Sequence, residues 1–326
     1  MIFIPYETVT STLTKILSRR GFAPERAAIS AGLFADANRD GVLSHGMDRF
    51  KSFLRAIDLG LVDPSTEPEL IWSGGALERW DGHYGPGNLN AKSSMARAME
   101  LSELHGIGCV ALANTNHWMR GGNFGWQAAD AGKIGICWTN TTPNLPPWGS
   151  EHPLIGNNPL IIAVPRKNGK HVVLDMAMSQ FSYGALSRHS IENRKLQVPG
   201  GYDTEGHLTD DANLIMESVR PLPIGFWKGS GLSIILDLLA ALLSGGSATN
   251  DIEPDLDKEK GVSQVFMAFS APDYPGLADR VIASLQTEGE PDVRYPGERV
   301  LKTREESLKK GLPVDEEIWN GILALQ

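Results

Sequence analysis

Five short stretches of this chain hold the residue types best suited to chemistry. In "LSHGMDRF", residues 43–50, His45 precedes Arg49 by four positions. On a regular helix capped by Ser44 the two share one face, with the imidazole in the first turn. There the positive end of the helix dipole disfavours imidazolium, while a bound carboxylate pushes its pKa back up. The pair then reads as a proton donor beside a planar clamp for a carboxylate or an α-keto acid. Spacing alone favours the plainer reading, a surface cap with a surface salt bridge.

The other four stretches are turns next to apolar runs. "NTNHWMRGGNFGW", residues 114–126, gathers Asn116, His117, Trp118 and Arg120 in a glycine-rich turn after a strand, where ligands are commonly met. It reads equally as a turn held by Asn side chains over a buried Trp. "LDMAMSQFSYG", residues 174–184, leaves a strand with small and polar residues, so its backbone N–H groups and the Ser179 hydroxyl suit a phosphate, although no glycine pattern accompanies them. "PIGFWKGSG", residues 223–231, sets Trp227 and Lys228 before a helix opening at Gly229, an aromatic face plus a point charge for an anionic cofactor. "RYPGERV", residues 294–300, reads by itself only as a turn at Pro296-Gly297.

Several familiar sites are excluded. No G-x-G-x-x-G follows a strand and no P-loop pattern occurs. "WKGSG" departs from G-x-S-x-G, which leaves Ser230 without support as a hydrolase nucleophile. The eight histidines, at 45, 83, 105, 117, 152, 171, 189 and 207, form no metal-binding spacing, and no metal is assigned. Cys109 and Cys137 lie in apolar runs and read as buried thiols, too few for a disulfide scaffold. A net charge of −9 argues against a nucleic-acid partner, while a small anion needs only a few local cations. The opening "MIFIPYETVT" lacks a basic leader, and the most apolar run, "GLSIILDLLAALLSGG", carries Asp237 and is short for a membrane span. The expectation is a cytoplasmic protein with no membrane partner.

These residues need elements to position them. With 326 residues the chain is long enough for two domains. Three helices are predicted over the first sixty residues, the third from 45 to 59 with Ser44 as N-cap. A helix over "AKSSMARAMELSELHG" follows, then strand-like runs "IGCVALAN", "KIGICWTN" and "PLIIAVPRKNGKHVVLDM", with a short helix over "GGNFGWQAADAG" between the first two. Asn168-Gly169 inside the last run predicts a hairpin with a type I′ turn. The middle section is therefore mixed α/β with an antiparallel pair, without the even alternation of a doubly wound sheet. Residues 187–223 read as a long polar excursion, 231–244 as an apolar helix, 247–261 as an acidic solvated loop or lid, and "VSQVFMAFS" as a further strand. The C-terminal quarter returns to helices.

Taken together, "SHGMDR", "NTNHW", "LDMAMS", "FWKGSG" and "YPGER", in this order and spacing, resemble the malate/L-lactate dehydrogenase-like family of nicotinamide oxidoreductases, which lacks a Rossmann fold. The resemblance spans essentially the whole chain. The run "NHWMRGGNFGWQAADAGKIGICWTN" followed by "PPWG" looks most like the branch of that family that reduces 2,3-diketo-L-gulonate; malate and lactate members more often carry "NHFG".

What the resemblance implies is an α/β (α+β) fold. A mixed-sheet cofactor domain, about 73–224 and 263–299, would stand beside a helical domain of residues 1–72 with about 225–262 and 300–326. It implies a homodimer with the active site near the subunit contact, a nicotinamide cofactor, NAD(H) ahead of NADP(H), and a small keto sugar acid as substrate. Carried over by position, His45 would be the proton donor and Arg49 the substrate holder. His117, with Asn116 and Arg120, would complete the catalytic and substrate-binding set. Asp175, Met176, Ala177, Met178, Ser179, Gln180 and Phe181 would form the main cofactor loop, completed by Trp227, Lys228, Gly297, Glu298 and Arg299. One departure is "GNNP", residues 156–159, where the family commonly has "GTNP", so Asn157 replaces a threonine hydroxyl. Within the family the alternatives are malate/lactate-type and imino-acid reductases. Outside it stand a non-catalytic sugar-acid or nucleotide sensor and a metal-dependent lyase using His83, His117 or His152.

Overall fold

The computed structural model describes residues 1–255, 258–270, 276–285 and 293–326. The chain opens with β1 (Ile2–Ile4) and three helices, α1 (Tyr6–Arg19), α2 (Pro24–Arg39) and α3 (Met47–Asp58). The hairpin β2 (Glu69–Gly74) and β3 (Leu77–Asp81) leads to α4 (Gly87–His105), β4 (Ile107–Thr115), α5 (Gly122–Asp130) and β5 (Ile134–Thr139). A second hairpin, β6 (Leu160–Val164) and β7 (Val172–Met176), is followed by α6 (Tyr183–Ile191), β8 (Gly201–Tyr202), β9 (Leu208–Thr209) and α7 (Ala212–Ser218). Then come α8 (Trp227–Ser244), β10 (Val262–Phe269), α9 (Leu277–Leu285), α10 (Glu298–Lys310), β11 (Leu312–Val314) and α11 (Glu316–Leu323).

Seven strands form one mixed sheet in the order β2-β3-β4-β10-β5-β6-β7, in which only β3 and β4 are parallel. Side chains alternate across it with period two. Val110, Leu112, Phe266 and Ala268 face α4 and join the larger core, while Cys109, Ala111 and Val265 face α8 and join the second. The two cysteines follow the same rule: Cys109 lies under α8 and Cys137 on the opposite face, both buried. The larger core continues into the N-terminal helices, where Phe34 meets Phe50 edge-on at 5.1 Å and Phe53 at 5.3 Å. β1 pairs with β11, so the chain's two ends close the helical layer together.

Direction within the sheet decides where a site can form. β4 and β5 each run antiparallel to β10 between them, and β5 and β7 each antiparallel to β6, so β3, β4, β5 and β7 all point the same way. Their carboxyl ends, and the start of β10, meet along one edge of the layer. In open α/β sheets that edge is where loops converge on ligands.

The structure corrects five local expectations. The helix predicted from 45 starts two residues later, at Met47, because Asn38 of α2 accepts the Met47 N–H at 2.7 Å and serves as its cap from outside. A Cβ at Gly46 would meet that Asn38 oxygen at 1.8 Å, so glycine is required there. Ser44 and His45 instead form a separate tight turn, Leu43–His45. The β6–β7 hairpin exists, but its turn is not type I′, which needs positive φ at both central residues. Only Gly169 is left-handed (φ 71), and Asn168 folds its side chain onto the Lys170 N–H at 2.9 Å. Pro165, which has no N–H, ends the ladder early and lengthens the connection.

Residues 187–223 are no open excursion. They carry part of α6, all of β8, β9 and α7, and a small core of Leu186, Leu196, Ala212 and Ile215. Nor is the acidic segment simply solvated. Thr249 and Ile252 are buried, although residues 256–257 lie outside the described ones. α8 begins at Trp227 rather than Gly231. Its 18 residues have the length and composition of a membrane span, yet Leu236 and Ala240 pack against the sheet. Asp237 in its middle accepts from the Asn140 amide at 2.9 Å and from the Thr249 N–H.

Candidate active site

The carboxyl end of β4 delivers Asn116 and His117, and the turn before α3 delivers His45. The two imidazole rings stack, centroids 5.9 Å apart and 25° from parallel. His117 Nδ1 accepts the Met119 N–H at 3.0 Å, held there by a left-handed Met119 (φ 64). That bond places the ring proton on Nε2, so a neutral His117 presents a donor away from the turn. His45 Nδ1 lies 2.9 Å from the Ser44 hydroxyl, which fixes its ring and leaves Nε2 for exchange.

Burial dominates both histidines. It pushes His117 well below the ordinary histidine range, with the Arg49 charge and His45 adding to the effect. His45 is also lowered, first by burial; Asp175 opposes this, while Arg49 and Arg120 reinforce it. The first-turn dipole expected from sequence is not among the causes, since His45 precedes the helix.

Arg49 enters from the first turn of α3 and lines the same cleft as Asn116, His117 and Glu259. Among the described residues its guanidinium makes no hydrogen bond or ion pair, so the fork stays available to an incoming carboxylate. Arg120 is different. It is 2% exposed, tied to Asp40 at 2.5 Å and within 3.9 Å of Asp175. Asp40 also receives Arg39 and Arg304, so Nη1 of Arg120 belongs to a buried ionic hub, while its buried Nε faces Asp175 and has no hydrogen-bond partner among the described residues. Asn116 lines the cleft, but its amide N–H groups are taken by the carbonyls of Leu61, Tyr84 and Gly85.

The 175–181 loop is only partly free to meet a ligand. Met178 is fully buried in the core under α8, and Met176 packs against that core. Phe181 packs on the small cluster around Leu186. Asp175 accepts the Gly122 N–H at 3.1 Å. Gln180 N–H donates to Leu222 O at 2.7 Å and Ile224 N–H to Met178 O at 2.7 Å, so the loop is stitched to the segment leading into α8. That pairing brings Trp227, 66% exposed, and Lys228 beside it. Among the described residues the Ser179 hydroxyl is buried without a partner, and the Ala177 and Ser179 N–H groups donate to no carbonyl. Unused donors next to a helix start suit a phosphate, and an exposed indole suits a planar ring, so these residues fit a dinucleotide.

Gly297 is left-handed (φ 93) and starts α10; a Cβ there would sit 3.1 Å from Val173 N. Val173 N–H donates to Pro296 O, which sets Gly297, Glu298 and Arg299 beside β7 rather than on the loop after it. Asn157 N–H donates to the Asn144 side chain at 2.9 Å and its carbonyl accepts from Met178 N–H, so this position braces the loop through its backbone. His83 lies on the surface against Glu69 and Asp81, and His152 is exposed. Among the described residues no three His, Cys, Asp or Glu side chains form a group able to hold a metal ion.

Sequence reasoning missed two participants. Glu259, read as part of a solvated charge run, turns its carboxylate into the cleft and accepts the Thr142 N–H at 3.0 Å. Asp40 gave no signal beyond closing a helix, yet its side chain is fully buried.

Over nearly its whole length the chain is similar to named proteins. The family model described as malate/L-lactate dehydrogenase matches residues 4–323. A 2,3-diketo-L-gulonate reductase of Citrobacter koseri is 42% identical over 332 residues, covering 99% of both chains. One from Klebsiella pneumoniae is 43% identical with the same coverage. Among solved structures, the sulfolactate dehydrogenase of Methanocaldococcus jannaschii superposes with a TM-score of 0.90 at 26% identity, over 99% of this chain and 96% of that one.

Proposed function

The chain belongs to the malate/L-lactate dehydrogenase family and is an oxidoreductase acting on a small molecule; from that premise we propose that it reduces a 2-keto or 2,3-diketo sugar acid. The substrate that fits best is 2,3-diketo-L-gulonate, giving 3-dehydro-L-gulonate, in the cytoplasm, with NAD(H) used ahead of NADP(H). The relatives named for that reaction, at 42% and 43% identity over the full length, support it. The observation that carries the chemistry is the stacked pair His45–His117, with Arg49, whose guanidinium has no partner among the described residues, lining the cleft beside His117.

In this reading Arg49 takes the carboxylate of the substrate in a two-point grip, which fixes the adjacent carbonyl near attack distance. His117 offers its neutral Nε2–H to an oxygen of the bound acid. His45 gives its proton to the carbonyl oxygen as negative charge develops there. Ser44 holds the His45 ring and Asp175 favours its charged form. A nicotinamide, held by the 175–181 loop, Trp227, Lys228 and the 297–299 turn, supplies the hydride to the carbonyl carbon when bound. The net change is one hydride and one proton added across C=O.

We further propose that the enzyme works as a homodimer. α8 supports this: Ile235, Leu238, Leu239 and Leu242 on its outer face are 40–71% exposed, more contiguous apolar surface than a lone chain ordinarily shows.

The test is oxidation of NADH, and separately NADPH, by purified protein with 2,3-diketo-L-gulonate, pyruvate, oxaloacetate and a cyclic imino acid. Preference for the diketo acid is expected, with His45→Ala lowering kcat by roughly 10²–10⁴-fold, the usual contribution of a positioned acid. Wild-type turnover in that variant would remove His45 from the mechanism, and preference for another acceptor would reassign the substrate.

A further inference from the structure

The cleft beside Arg49 is unbalanced in its hydrogen bonding. Asn116 is 3% exposed, and its amide nitrogen serves three backbone carbonyls at 3.2, 2.7 and 3.0 Å. That assignment forces its Oδ1 to the other side, where it is buried and meets no donor among the described residues. Glu259 repeats the pattern. One carboxylate oxygen takes the Thr142 N–H, and Oε1 is buried with no hydrogen-bond partner among the described residues. Among the described residues no cation lies within salt-bridge distance of Glu259, Arg49 included, although Arg49 is close enough to act on its charge. Two buried acceptors therefore line a cleft in which Arg49 and the His117 Nε2–H already face the acceptors of a keto acid. Native proteins rarely leave such groups unmet, and here the missing donors belong to a ligand.

The carboxylate and carbonyl of a 2-keto acid carry acceptors only, so they cannot satisfy Asn116 Oδ1 or Glu259 Oε1. Hydroxyl groups can. We propose that Glu259, assisted by Asn116, is the specificity-determining residue that accepts hydrogen bonds from hydroxyls on the carbon chain of the substrate, while Arg49 holds its acid end. This rests on the keto sugar acid reading above and adds the group that distinguishes a polyhydroxylated chain from an alkyl one. A site built to pair a hydroxyl rejects the analogue lacking it far more strongly than a hydrophobic pocket rejects a missing methylene.

Glu259→Gln tests this at constant shape. The Gln carbonyl must stay on the Thr142 N–H, so its NH₂ stands where the free acceptor was, turning an acceptor into a donor. Calorimetry with L-gulonate and hexanoate, six-carbon acids that differ in their hydroxyls, reads the effect without turnover. The wild type is expected to bind L-gulonate more tightly, and in the variant the ratio of the two Kd values should fall roughly tenfold, with hexanoate nearly unchanged. The ratio of kcat/KM for 2,3-diketo-L-gulonate over 2-oxohexanoate should fall in parallel. An unchanged ratio, or equal weakening of both acids, would overturn the role of Glu259 while leaving the sugar-acid reading intact. A wild type with no preference for L-gulonate would overturn both.

Discussion

One charge, on Asp175, acts on the imidazole of His45. His45 is lowered by burial, so its proton is lost at a lower pH than from an ordinary histidine, and Asp175 partly restores it. With His45 as the proposed proton donor, reduction would consume that proton and slow as pH rises through the His45 pKa, while oxidation of the alcohol would need the neutral ring and gain. Asp175→Asn removes the restoring charge. The alkaline limb of the reduction profile should therefore move to lower pH, measured as kcat against pH with saturating NADH. A limb that stays in place would separate Asp175 from His45. The sequence made both residues candidates, but it placed Asp175 in a cofactor loop and gave no reason to link it to an imidazole 130 positions earlier.

Among the elements, α2, the turn into α5 and α10 share one buried carboxylate, Asp40. Burial alone would raise the pKa of Asp40, but hydrogen bonds from Arg304 and Arg39 and the Arg120 charge outweigh it and hold it well below the usual carboxylate range. Its contribution to stability is thus present at neutral pH and is lost only as pH falls through that depressed value. Asp40→Asn leaves three guanidinium groups around a neutral side chain. Unfolding in urea at pH 7 should show a loss of about 3–5 kcal/mol, the cost of breaking a buried ionic cluster from one side. A loss near zero would mean that the arginines find other partners. The helices that meet here were legible from their periodicity and from stops such as Gly21 and Gly106. The α3 start was misplaced by two residues because its cap, Asn38, comes from another helix.

At the scale of the whole molecule, the outer face of α8 and the edge strand β2, with Leu70, Ile71 and Trp72 all exposed, are the broad apolar surfaces of the chain. If the α8 face joins two copies, the wild type should sediment as a dimer, and Leu242→Glu, at a position 71% exposed and so harmless to the fold of one chain, should shift it to monomer. A dimer that survives Leu238→Glu with Leu242→Glu would move the contact elsewhere.

The sequence by itself determined what is local or repeated within one element: most helices, the mixed strand content, the buried thiols, the family, and the residue types at the site. These follow from side-chain period, from turn chemistry and from motifs read in order. Only the tertiary structure decided which of them meet. His45 and His117 stack, Arg49 has no side-chain partner among the described residues, Arg120 reaches Asp40, and Glu259 enters the cleft. The physical reason is that strand direction and burial are properties of the assembled sheet. Four parallel carboxyl ends bring distant turns to one edge, and the loss of water there lowers both histidines and turns a surface glutamate into a buried acceptor.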